Sequence, residues 1–222
     1  MMLRSPASTV AAQYARAHVA VGKTPWRSAH FCVVDLELSG LDASRDEIIS
    51  FAAVPIDSGR IAAGDALYGL CRPTRPLSEK SVLVHGIRTA DLADAPTIDE
   101  ALEPLIAAMT GRVMVAHVAW VERAFLGRAL NRLGIRLREP VIDTHELGRL
   151  LAFKRGEQIT SSSLSELTRS LGLPVHRPHH ALGDALTTAQ TFLAIATHLE
   201  NFSPVTVRTL SSAGEHAWMY MR

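Results

Sequence analysis

The chain has 222 residues, 47% of them apolar, which suits one substantial core rather than several domains. Lys and Arg number 23 against 22 Asp and Glu, so a formal charge of +1 selects neither for nor against a nucleic-acid ligand, and charge has to be read locally. Two cysteines inside strand-like runs, Cys32 and Cys71, argue against a disulfide framework; no apolar run approaches the roughly 18 residues of a membrane span, and the N-terminus lacks an apolar stretch with a cleavage site, so a reducing cytoplasmic setting away from membranes is expected.

In chain order, Ser8 to Val19 shows Ala-rich helical periodicity and is followed by Gly22, Pro25 and Trp26, so residues 1–30 are expected to form a helix and a linker. The folded core is expected over 31–200. Phe31 to Val34 is an apolar run of strand length, Glu47 to Ile56 is rich in strand formers, Asp57-Ser58-Gly59-Arg60 is a turn, and Ile61 to Cys71 can return as a third strand, which makes an antiparallel meander. The period then changes: Ile98, Leu102, Leu105, Ile106 and Met109 follow a helix, and Val113 to Ala116 is a short buried strand. After Ala119 a helix carries Val121, Phe125, Leu126, Leu130 and Leu133 on one side and stops at Gly134. Val141-Ile142 is a brief strand and Thr144 to Phe153 a helix. Ser163 followed by Glu166 is a capping box for a helix with Leu164, Leu167 and Leu171, stopped by Gly172 and Pro174. A last long helix runs from about Ala181 to Leu199, and the 201–222 tail shows no pattern.

Acidic residues stand at the ends of these elements. Asp35 and Glu37 are two apart at the end of the first strand, so both side chains point to one face. Adjacent carboxylates repel unless a cation lies between them, and hard divalent ions take oxygen ligands; the alternative is a solvated strand edge. Asp184 lies in His179-His180-Ala181-Leu182-Gly183-Asp184, in the first turn of the last helix, where the helix dipole alone accounts for an anion. Glu122, in Ala116-His117-Val118-Ala119-Trp120-Val121-Glu122, stands one turn after a strand-to-helix junction, and the stretch by itself leaves open whether it is an ordinary solvated helix carboxylate or a ligand.

Taken together, Asp-x-Glu at the first strand end, an acid after a later strand-to-helix junction, and His-x-Ala-x-x-Asp at the start of the final helix resemble the DEDDh 3′–5′ exonucleases, relatives of bacterial replicative proofreading subunits, ribonuclease T and oligoribonuclease. Val84-His85-Gly86-Ile87, Ile142-Asp143-Thr144 and Ser163 to Leu167 extend the resemblance, which covers about Phe31 to Leu199. It implies an α/β, ribonuclease H-like exonuclease fold: a mixed sheet with an antiparallel meander, flanked by helices. Two departures stand out. The first motif reads Asp35-Leu36-Glu37-Leu38-Ser39-Gly40 where the family has Asp-x-Glu-Thr-Thr-Gly. The second has Val118 where Asn is usual and Glu122 where Asp is usual, an extra methylene that moves the carboxylate by roughly 1.5 Å.

The resemblance further implies two divalent ions, Mg²⁺ or Mn²⁺, held by Asp35, Glu37, Glu122 and Asp184, and His179 as general base, with imidazole as a class competent near neutral pH. His180 is the rival, but the five-residue step from His179 to Asp184 matches the family. The terminal nucleotide is expected to meet Leu38, Ser39, Leu41, His85, Trp120 and Val121; Trp120 reads equally as packed core, and His85 equally as a turn residue before Gly86. Arg123, Arg128, Arg132, Arg136 and Arg138 read either as a phosphate track or as solvated helix charge. Asp143 belongs to a supporting segment rather than to the ligands. The expected activity is release of nucleoside 5′-monophosphates from single-stranded or frayed 3′ ends, of DNA in preference to RNA, with a polymerase or repair partner possible. The competing expectation is a catalytically degenerate nuclease fold that binds nucleic acid without cutting it.

Overall fold

The computed structural model describes residues 9–158 and 163–213. One six-stranded mixed sheet organises the chain. Strand β1 (His30–Leu38) pairs antiparallel with β2 (Ile48–Asp57), and the far side of β2 pairs with β3 (Arg60–Ile61) and β4 (Leu67–Leu70). On its other edge β1 runs parallel to β5 (Val113–Ala116), which runs parallel to β6 (Val141–Asp143). This is the meander-plus-crossover sheet that the sequence leads one to expect. The third strand differs: 61–71 is broken by a 3₁₀ turn at Ala63–Asp65, so β3 and β4 are short and separate.

Alternation along β1 builds two cores. Phe31 and Val33 join Ala52, Val54 and Ile56 of β2 beneath α7 (Ala181–Leu199), with α5 (Thr144–Arg155) and α6 (Leu164–Ser170) on the same side. Cys32, Val34, Leu36 and Leu38 face the opposite way, against α3 (Ile98–Met109) and α4 (Trp120–Arg132). Both cysteines are buried and free. Ser163 and Glu166 form the reciprocal capping box that opens α6.

Two helices escape the periodic reading. Glu79–His85 is α2, bracketed by Ser78, whose side chain accepts from the Ser81 N–H, and by Gly86 at φ 74°. Val207–Ser211 is α8, which with Val205 and Ala213 buries Val207 and Leu210 in the α7-side core. The expected linker is tied to it: the Val207 N–H donates to the Thr24 carbonyl at 2.9 Å and the Arg208 N–H to the Gly22 carbonyl at 2.8 Å. The expected N-terminal helix is α1 (Thr9–Arg16), whose Tyr14 hydroxyl accepts from the Arg138 N–H at 3.0 Å. Among the described residues, no helix is long and apolar enough to cross a membrane.

Candidate active site

The side-chain row Phe31, Val33, Asp35, Glu37 lies on one face of β1. Its first two members are core and its last two are carboxylates, so the buried stripe turns acidic where the N-terminus of α7 stands over the sheet. A register shift between Glu37 and Leu38 relaxes the strand there, a device that re-aims side chains at sheet ends. Asp184, in the first turn of α7, completes a cluster in which one oxygen from each of Asp35, Glu37 and Asp184 lies within 4.8 Å of the others. Gly183 permits this approach, because a Cβ there would stand 2.5 Å from the carbonyl oxygens of both His176 and Arg177. The loop before α7 therefore lies directly on its first turn.

The cluster is electrostatically strained without a cation. Burial, then the neighbouring Glu122, Asp184 and Glu37, pushes the Asp35 carboxyl well above the usual carboxylate range. Glu37 is pushed up to about 7 by burial and by Asp184. Asp184 is raised by burial, partly offset by the His179 N–H that donates to its Oδ2 at 2.8 Å.

Glu122 occupies a different setting. It lies in the first turn of α4 and is only 5% exposed, and its Oε2 has no hydrogen-bond partner among the described residues. Burial pushes its carboxyl up to about 8, its own N–H pulls it down, and Asp143 adds to the rise. It is close enough to Asp35 to be the largest charge acting on it, yet it stands outside the tight three-carboxylate group. The turn before it is unusual: Val118 has φ 59°, a left-handed conformation that disfavours a β-branched residue. Asp143 holds that turn, accepting from the Val118 N–H at 3.0 Å and the Ala119 N–H at 2.9 Å.

The two candidate histidines are separated by the loop. His179 has φ 60° and an exposed side chain next to Asp184. His180 is half-buried and stacked on Tyr68 of β4, ring centroids 4.8 Å apart. His117, in the second motif, is a third: its Nδ1 is 3.0 Å from the Thr144 hydroxyl, and burial depresses it to about 4, so it stays neutral at physiological pH.

Beside Glu37 lies a groove of about 380 Å³, within the range of small-molecule pockets, lined in part by Leu38, Ser39, Leu41, His85 and Val121. Trp120 is not among the lining residues and stands 60% exposed at the start of α4. Ser78, Lys80, Ser81 and Val84 of the α2 segment also line the groove, and sequence reading missed them with that helix. The available signal was the bracket of a capping Ser78 and a terminating Gly86. His85 Nδ1 accepts the Ile87 N–H at 3.0 Å, which fixes its proton on Nε2 as a donor.

Four of the five arginines are structural ties. Arg123 pairs with Glu139, Arg132 with Asp99 at 3.1 Å, and Arg138 donates to the Ala15 and Ala17 carbonyls at 3.0 Å. Arg128 donates to the Ala43 and Asp46 carbonyls, pinning the loop that carries Ser39 to Leu41 against α4. Arg136 is exposed.

An oxygen-only donor set, raised carboxyls repelling one another and an unpartnered buried oxygen on Glu122 together fit a hard divalent cation. The RNase T exonuclease family matches residues 32–192. The chain is similar to a DNA polymerase III subunit epsilon-like protein of Rhodobacter capsulatus, 38% identical over 79% of this chain and 25% of that protein. It is also similar to a PolC-type DNA polymerase III of Thermotoga maritima, 36% identical over 74% of this chain and 12% of that protein. The chain thus spans a quarter or less of the length of these relatives. Among solved structures it resembles exonuclease X in complex with 5′-overhanging duplex DNA, with TM-score 0.62 and 26% identity over 82% of this chain and 98% of that one. Exonuclease I of E. coli, solved with a dT13 oligonucleotide, shares the ribonuclease H-like fold, with TM-score 0.67 and 17% identity over 78% of this chain and 42% of that one. The family match runs from β1 into α7 and takes in every acidic segment of the site, and the chain belongs to the DEDDh 3′–5′ exonuclease family.

Proposed function

We propose that the chain is a divalent-metal-dependent 3′–5′ exonuclease that releases nucleoside 5′-monophosphates from single-stranded or frayed 3′ ends, of DNA in preference to RNA. The observation that carries this reading is the Asp35, Glu37 and Asp184 cluster at the mouth of a groove of nucleotide-sized volume. Two ions, Mg²⁺ or Mn²⁺, would be held by these carboxylates with Glu122 closing the site. Bound there, they would supply Lewis acidity to the scissile phosphate and offset the charge that develops on it.

The chain's own groups do the rest. His179, exposed and next to Asp184, accepts the proton of the attacking water on a ring nitrogen, while Asp184 holds the His179 backbone N–H and so fixes the base relative to the carboxylates. Leu38, Leu41, Val84 and Val121 offer apolar surface to the terminal base, a contact that asks for no sequence. Lys80 and Ser39 line the same groove as donors for sugar and phosphate oxygens, while His85 and Ser81 line it with their polar atoms turned inward, His85 Nε2 buried and the Ser81 hydroxyl donating to the Ser78 carbonyl at 2.9 Å. Trp120, beyond the groove, would meet an upstream base. The preference for DNA follows the polymerase III relatives, as does a replicative polymerase or repair partner in the cytoplasm.

Incubation with 3′-labelled and 5′-labelled single strands of DNA and RNA, with Mg²⁺, Mn²⁺ or chelator, tests the reading. Stepwise shortening from the 3′ end of DNA that stops on chelation is expected. One observation favours a nuclease-fold binding module instead, namely that Glu122 stands outside the tight carboxylate group. Strand binding without nucleotide release in either ion would establish that alternative.

A further inference from the structure

The β5–α4 junction combines two features that the reaction alone does not require. Val118 sits at φ 59°, where its β-branched side chain is strained. Asp143, 25 residues later at the end of β6, spends both carboxylate oxygens on that junction: Oδ1 takes the Val118 N–H at 3.0 Å and Oδ2 the Ala119 N–H at 2.9 Å. Oδ1 also takes the His145 N–H at 2.9 Å as the N-cap of α5. Ala119 gives α4 no side-chain cap, and the helix ladder starts on the carbonyls of these same residues, with the Val121 N–H on Val118 at 3.1 Å and the Arg123 N–H on Ala119 at 3.0 Å. The conformation of Val118 therefore sets the direction in which α4 begins, and Glu122 is in its first turn.

We propose that Asp143 is a positioning residue: its carboxylate holds Val118 in the left-handed conformation and thereby fixes where α4 places Glu122. The proposal rests on the exonuclease reading for its functional consequence. Strained residues persist only where surrounding contacts over-determine them, and two charge-assisted hydrogen bonds from one carboxylate are such contacts. An amide at 143 replaces one acceptor with a donor aimed at a buried N–H. Val118 is then free to return to negative φ, which swings the first turn of α4.

The test uses the full chain and the variants D143N, V118G and V118G/D143N. Direct Mn²⁺ binding by calorimetry, kcat and KM on a labelled oligonucleotide, and the φ of residue 118 from scalar couplings in the metal-free protein are the readouts. D143N is expected to move residue 118 to negative φ, weaken Mn²⁺ binding by roughly 10–100-fold and lower kcat with KM little changed. V118G/D143N is expected to recover most of that affinity, because glycine adopts positive φ without strain. A residue that served only as the cap of α5 would show no rescue by a change at 118. Positive φ retained in D143N with Mn²⁺ affinity intact, or a double variant as impaired as the single one, overturns the proposal. If D143N does not fold, thermal melts of the double variant carry the same decision: recovery supports the proposal and its absence overturns it. If the wild-type chain cuts nothing, the exonuclease reading fails, while the φ of residue 118 and the start of α4 still decide whether Asp143 holds the turn.

Discussion

The two halves of the acidic site are built on different principles. Asp35 and Glu37 project from a nine-residue strand buried on both faces, and Asp184 from the first turn of a nineteen-residue helix. Glu122 depends on a turn held in an unfavourable conformation by a residue from another strand. Regular elements deliver the first group through backbone hydrogen-bond ladders shared over many residues. The second rests on a few specific contacts, so it is the half in which a small change moves the proposed fourth ligand, and positioning errors of about 1 Å are costly in active sites.

Variants can break this comparison, beginning with the largest expected effect. Asp35→Asn should abolish nucleotide release, with a loss above 100-fold, since even groups one step removed from a metal cost about 10–100-fold. The same variant should raise the melting temperature of chelated protein, because it removes a carboxylate already destabilised by burial and three acidic neighbours. Activity retained in Asp35→Asn would remove the tight cluster from the mechanism.

His179→Ala should lose about 10²–10⁴-fold in kcat, the usual worth of a general base, with Mn²⁺ binding largely kept. His180→Ala should cost far less, since that ring is pinned against Tyr68. Equal losses would mean that the base has been placed on the wrong histidine.

Glu122→Gln probes the other half. Its charge is gone but its shape is kept, and roughly 10–100-fold weaker Mn²⁺ binding with a matching fall in turnover is expected. Glu122→Asp should be milder, and adding Val118→Asn should recover part of its loss, because Asn tolerates positive φ. Near-native metal dependence in Glu122→Gln would leave Asp35, Glu37 and Asp184 as the whole acidic site.

The smallest effect is on stability against pH in chelated protein. Glu37 at about 7, Glu122 at about 8, and the raised Asp35 and Asp184 all keep protons in the folded state that the unfolded chain has lost. Below about pH 6.5 the buried His117, depressed to about 4, opposes them, because the unfolded chain protonates that ring and the folded one does not; from about pH 6.5 to 8 the folded state binds more protons, so stability should fall as pH rises. Divalent ions, which need the deprotonated carboxylates, should restore the melting temperature most strongly at the alkaline end. A melting curve for chelated protein that rises across this window would show that the carboxylates are not strained as described.

The amino-acid sequence by itself determined the elements and most of the chemistry carried on them. Strands β1, β2 and β5 and the helices between 98 and 199 follow hydrophobic period and capping chemistry, which are local, and α7 spans the same residues as the periodic reading. Asp35 and Glu37 could be placed on one face because a strand alternates, and five residues of a groove could be named from the motif resemblance. What failed locally was what is too short to show a period: the seven residues of α2, the five of α8, and the break that splits β3 from β4.

Only the tertiary structure decided which polar groups act at a distance. Four of the five arginines read as a phosphate track or solvated charge prove to be tethers, because carbonyls and carboxylates 16 to 123 residues away lie under them. Asp143, an unremarkable acid at a strand end, becomes the anchor of a turn 25 residues back because β5 and β6 run parallel and bring their ends together. His179 and His180 differ by one position in sequence, and a left-handed residue in a loop packed on Gly183 sends one to solvent and the other onto Tyr68. Sequence pattern records which side chains a single element presents to one face; hydrogen-bond geometry between elements, set only when the sheet and helices close on one another, records what each of them holds.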